Sequence, residues 1–342
     1  MKTKQTNDHY VSQTYLRRFL TPGTGTLFVY HKNKEGSFKA VPASICAEKG
    51  WDNLDDDGKI PPMLKEELQA LEPNLDKCLN ILIKHPLHDL DRFALSMWLA
   101  ILQSLNPYNL LNFENFVKEM GDLTLEMLMS KPSEYMSEKD IQFYNEHKDK
   151  MELTVNKYYP KNLAMSNVYL IAISLYVSDW IITENKTELK YLTCDKPFHF
   201  ICWHDNPNNT FNPKGIAIDP EHYLMIAPLA QEKHQQIKNN KDKDYTYFDA
   251  GQIKYARFDG LTKHNMKAIK FINQHTVYNA DRFIISQNSN KNLDSFIRHN
   301  KPFCTRTKVD RIDIGGGQHL IMTRLENTFP NFEPNKKLKK KI

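Results

Sequence analysis

Three short stretches carry side chains able to do chemistry. In the first, His9, Gln13 and Arg17 recur every fourth residue. On a helix reaching back to His9 they share one face. Arg supplies charge and a fork of donors, Gln orients, and His transfers protons, so the stripe suits an anionic ligand. Val11, Tyr15 and Phe19 take a second, apolar face. The same pattern also describes a capped first helix whose polar face makes structural bonds only. The second stretch is Thr193-Cys194-Asp195-Lys196-Pro197. Pro197 holds the chain extended just past the acid, which presents a carboxylate to a cleft. The alternative is an Asx turn in which Asp195 bonds its own backbone. The third comprises Asn273, Asn279, Arg282 and Ser286 around a predicted strand, either an anion-binding edge or structural hydrogen bonding.

Other motifs are missing from the sequence. No Gly-rich dinucleotide fingerprint, P-loop or serine nucleophile elbow occurs. The five cysteines, Cys46, Cys78, Cys194, Cys202 and Cys304, contain no CxxC pair, which argues against a zinc knuckle and a disulfide scaffold. His85 and His88 lack the carboxylates of a metal site and read as a solvated loop pair. No run reaches the roughly 20 apolar residues of a membrane span. The start has no apolar leader core, so a cytoplasmic protein with no membrane partner is expected.

The 342 residues are 40% hydrophobic and 25% charged, an ordinary folded balance. The net charge of +5 equals the five lysines Lys336, Lys337, Lys339, Lys340 and Lys341, which leave a neutral body when removed. Such a tail reads as a solvated terminus.

These residues need elements to position them. Ser12 caps a predicted helix over Gln13–Leu20. Thr26–His31 and Phe38–Val41 form a predicted hairpin. Helices follow over Met63–Ile83, Asp89–Leu105, Leu110–Met129, Ser137–Asn156 and Leu163–Ile182. Asp55–Gly58 with Pro61-Pro62, and Asp205–Gly215, read as loops. Tyr191–Trp203 turns β-like. Tyr223–Ile226, Arg282–Ser286 and His319–Arg324 read as strands, and Gln231–Asn239, Leu261–His275 and Lys291–Arg298 as helices. The expected fold class is α+β: a mixed irregular sheet from the N-terminal hairpin and the C-terminal third, with a central helical block. One domain is expected over residues 1–330, the block being about 63–182, with a disordered basic tail over 331–342.

Read in order, the stretches resemble a bacterial family called domain of unknown function 4238. Its opening His-Tyr-Val-Pro-x-x-Tyr-Leu-Arg-x-Phe is similar to His9-Tyr10-Val11-Ser12-Gln13-Thr14-Tyr15-Leu16-Arg17-Arg18-Phe19. The short strand pair resembles Leu27–Val41, and a helix with Gln near its end resembles Leu99–Gln103. A Trp helix followed by Ser-Asp-Asn-Pro is similar to Trp180 and Cys194-Asp195-Lys196-Pro197. Pro228-Leu229, Asn273 and the Ala280-x-Arg282-x-x-x-Ser286 pattern complete the set. The likeness runs over roughly residues 7 to 290. Ser12 stands for Pro, Cys194 and Lys196 stand for Ser and Asn, and the Arg expected after Gln103 is missing. The resemblance implies no established activity. It supports the choice of residues.

Three functional expectations follow. The first is a nuclease-like hydrolase acting on a phosphodiester or nucleotide, as in a bacterial defence or toxin-type effector. His9 is its general acid or base, Asp195 the partner or metal ligand, and Gln13 positions the substrate. Tyr10, Arg17, Arg282, Asn273 and Ser286 bind that substrate, and a divalent metal is compatible although no ligand motif is written. The second is a non-catalytic module for nucleic acid, a nucleotide or a protein partner. The third is that all three stretches are structural.

Overall fold

The protein is described by a computed structural model covering residues 7–51, 63–130, 132–148, 154–156, 158–201, 212–259, 263–315 and 318–328. The basic tail, the loop at 55–62 and most of the 205–215 loop lie outside them.

The chain opens with β1 (Asn7–His9), α1 (Gln13–Arg17), β2 (Leu27–His31), β3 (Ser37–Ala40) and β4 (Ala47–Lys49). The helical block comprises α2 (Met63–Leu82), α3 (Asp89–Ser104), α4 (Pro107–Ser130), α5 (Pro132–Tyr135), α6 (Glu138–His147) and α7 (Tyr159–Val177). Then come β5 (Trp180–Asn185), β6 (Thr193–Cys194), β7 (His199–Phe200), β8 (Lys214–Asp219) and β9 (His222–Ile226). The last part holds α8 (Gln231–Asn239), β10 (Ile253–Phe258), α9 (Lys263–Asn279), β11 (Phe283–Ser286), α10 (Lys291–Asn300), β12 (Cys304–Gly315) and β13 (Gln318–Thr328). The fold is α+β.

The hairpin and the C-terminal third do join, in a four-stranded antiparallel sheet of order β3-β2-β11-β6. A second sheet, of order β10-β5-β9-β8-β7, was not anticipated; it is antiparallel except for the β10–β5 pair. Its β5 replaces the end of the helix expected to run to Ile182. Ser178 is extended (φ −74°, ψ 152°), and Trp180 starts the strand. A run this rich in apolar residues gives periodicity little to decide on. β8 begins at Lys214 and Gly215, the last two residues of the expected loop.

Helix α1 wedges between the two sheets. Ser12 Oγ accepts from the Thr14 N–H at 3.2 Å and starts the helix. Val11, Tyr15 and Phe19 are fully buried, as the apolar spacing predicts, and Leu16 is buried with them. The Tyr15 hydroxyl meets Thr193 Oγ1 of β6 at 2.6 Å and donates to the Ala217 carbonyl of β8 at 2.8 Å, so one side chain bridges both sheets. Arg18 adds a hydrogen bond to the Ile218 carbonyl at 3.0 Å. Below the wedge, α3 packs on α7, and Trp98 and Trp180 are buried in the same core as Tyr15.

Candidate functional site

The helix starts at Gln13, so His9 does not share its polar stripe. His9 ends β1 instead, with its Nδ1 3.4 Å from Gln13 Nε2. Ser12 forces this break, because an N-cap residue is extended rather than helical.

Tyr10, Asp195 and Arg282 do come together. Arg282 Nη2 donates to the Tyr10 hydroxyl at 2.9 Å and to Glu48 Oε1 at 2.7 Å, and its guanidinium lies 5.5 Å from the Tyr10 ring centre. Asp195 is fully buried, and its carboxylate accepts the backbone N–H groups of Asp281, Arg282 and Phe283 at 3.0, 2.7 and 3.2 Å. Burial pushes its pKa up to about 6, against the pull of those three donors. The Asp195 carbonyl accepts from Asn106 Nδ2 at 2.8 Å. Asp195 therefore braces the entry to β11 and the α3–α4 turn, bonding a distant backbone rather than its own as an Asx turn would.

The other predicted residues scatter. Asn273 is fully buried, accepting from the Leu192 N–H and donating to the Lys190 carbonyl, both at 2.9 Å. Ser286 Oγ donates to the Asn288 carbonyl at 2.7 Å. Both clamp backbone. Arg17 lies in a separate open groove with Thr14, Arg18, Asp219, His222 and Gln287. In that groove Asp219 holds the His222 ring at 2.9 Å and pairs with Arg18 at 3.4 Å.

A cavity of about 410 Å³ lies elsewhere; none of the eight residues given a catalytic or substrate-binding role lines it, although Lys196 and Asn279 of the same stretches do. Helix α3 ends there with Gln103 and Ser104. Helix α4 contributes Asn109, Asn112, Phe113 and Phe116. These four sit at i, i+3, i+4 and i+7, one helical face. The segment after Asp195 adds Lys196, Phe198, His199 and Phe200, while β8 adds Lys214 and α9 ends on Asn279. Asp195 thus fixes the segment whose next residue enters the cavity. Four signals for the site stood in the sequence: the Leu99–Gln103 motif, the Lys196 motif, Asn279, and an α4 stripe pairing amides with phenyl rings. Nothing marked Lys214.

Lys214 Nζ donates to Gln103 Oε1 at 2.8 Å and lies 5.1 Å from the Phe200 ring centre. Burial pushes it down to about 8. The Lys196 ammonium lies 4.4 Å from the Tyr108 ring centre. His199 is pushed down to about 3, first by burial and then by the nearby His275 and Lys196, so its ring is neutral. Ser104 Oγ and Asn112 Nδ2 are buried without a hydrogen-bond partner among the described residues. No Asp or Glu belongs to the described lining. The cavity is thus rich in donors, walled by rings, and suited to an acceptor-rich ligand. Among the described residues, no three His, Cys, Asp or Glu side chains come together as metal ligands. No helix there is long and apolar enough to cross a membrane.

No curated protein and no solved structure matches the chain. A family profile described as "Protein of unknown function (DUF4238)" matches residues 7–290, so the cavity-lining residues, including Lys196 and Lys214, fall within the matched region. The chain belongs to that family.

Proposed function

We propose that this chain binds an anionic aromatic ligand of the nucleotide or nucleic-acid class in the Lys214 cavity. The carrying observation is Lys214 itself, a part-buried ammonium whose described partners are a neutral amide and a phenyl ring. Burying a charge is costly unless it is paired, and a ligand phosphate supplies the missing pair. Phe113, Phe116, Phe198 and Phe200 offer ring faces for a base. The volume falls within the range of about 300–1,000 Å³ common for small-ligand pockets. Titration calorimetry of wild type and Lys214→Met against nucleotides and short single strands tests the reading. Binding by wild type that weakens at least tenfold in Lys214→Met supports it. Absence of binding across the panel refutes it.

Hydrolysis of the bound phosphodiester or nucleotide is the second reading, favoured by the neutral His199 ring beside the lysines. A neutral imidazole accepts a proton from an attacking water. Incubation with labelled nucleotides and nucleic acids, with and without divalent metal, checks it. Ligand binding with no turnover leaves the binding module alone.

A further inference from the structure

We infer that the cavity takes a single nucleotide, with its terminal phosphate on Lys214 and Gln103 and its base against the α4 face, rather than the interior of a strand. This rests on the reading above. The orientation of Gln103 points to the phosphate end. Its Oε1 accepts from the Lys214 ammonium, so its Nε2 donors face the other way. The next residue, Ser104, is 4% exposed, and its hydroxyl has no partner among the described residues. An ammonium, an amide N–H and a hydroxyl O–H are the donor set of a phosphate seat. The α4 face provides the other end. Phe113 and Phe116 stand on the same stripe as Asn109 and Asn112. Asn109 is spent on the Gln103 carbonyl, which leaves the unmatched Asn112 amide to read a base edge beside the rings.

Two observations favour a monomer over a strand. The volume of about 410 Å³ lies toward the small end for single-ligand pockets. Polymer binding also draws its affinity from many phosphates met along a cationic track. Here the net charge of +5 is matched by five tail lysines, so the rest of the chain sums to zero.

The test measures dissociation constants by calorimetry for four probes: a nucleoside, its 5′-monophosphate, a dinucleotide, and a ten-residue single strand blocked at both ends. Each is run with the full chain, Lys214→Met and Asn112→Ala. The monophosphate is expected to bind at least tenfold tighter than the nucleoside and the blocked strand. Lys214→Met should erase the preference for monophosphate over nucleoside. Asn112→Ala should weaken nucleoside and monophosphate alike. A blocked strand that binds as well as the monophosphate overturns the single-nucleotide assignment yet leaves the parent reading standing. A nucleoside that binds as well as the monophosphate overturns the phosphate seat. No binding by any probe removes both.

Discussion

Lys214→Met should stabilise the empty protein while destroying its ligand site. In the unfolded chain the lysine titrates at 10.5, and in the cavity at about 8. Below pH 8 the fold must carry a part-buried ammonium that bulk water would solvate better. The gap corresponds to about 3 kcal/mol at 1.36 kcal/mol per pK unit. Methionine removes that cost and keeps an unbranched apolar stem beside Phe200. Loss of the hydrogen bond to Gln103 returns about 1 kcal/mol, so the variant should gain about 1–2 kcal/mol at pH 7. The sign follows from proton binding. Between pH 8 and 10.5 the unfolded lysine keeps a proton that the folded one has lost, so wild-type stability climbs across that window. The advantage of the variant is therefore full at pH 7 and gone near pH 10.5. Urea unfolding of both proteins at pH 7, 9 and 10.5 measures it. A variant less stable at pH 7, or an advantage unchanged across the three pH values, refutes the burial argument for Lys214.

Other perturbations have equally definite outcomes. His199 stays neutral in the fold down to about pH 3, whereas the unfolded residue protonates near 6.5; wild type loses about 1.4 kcal/mol per pH unit between those values, and His199→Gln should flatten that slope in denaturant titrations. Asp195 has the opposite sign: its folded pKa of about 6 exceeds the unfolded 3.8, so it adds stability as pH falls from 6 to 4. Asp195→Ala should lose that gain and also about 3–6 kcal/mol at pH 7, by stranding three part-buried N–H donors; a loss under 1 kcal/mol would contradict its role as a brace. Tyr15→Phe should cost about 1–3 kcal/mol, because the hydroxyl joins β6 to β8, and thermal melts will show it. Gly251→Ala drives a Cβ into the Ser178 carbonyl and should yield little folded protein on a sizing column.

Legibility in the sequence followed local signal. Helices α3, α8 and α10 and the β2–β3 hairpin carry clear spacing, caps or turns, and the α+β class follows from them. β10 was missed because it pairs on one side only, and its middle residues are exposed, leaving no alternation to read. β6 and β7 span two residues each, below any periodic signal. The site was harder still. Tyr10, Asp195 and Arg282 come from stretches read for their chemistry and supported by the family likeness, and they meet in space, but Asp195 spends its carboxylate on backbone. Lys214 lies at the end of an apparent loop, and its pairing opposite Phe200 turns it toward Gln103. A contact made by register between distant segments leaves no mark on either segment alone.

The β2–β11 pairing sets a schedule for synthesis. Phe28 to His31 find their partners only at Phe283 to Ser286, near the far end of the chain. At about 5–20 residues per second, translation leaves the β2–β3 hairpin waiting roughly 10–50 s for the strand that completes its sheet. Leu27 and Val29, fully buried in the finished protein, must be shielded during that interval. A ribosome stalled before β11 would present a nascent chain with an open sheet edge, the kind of surface that holding chaperones capture.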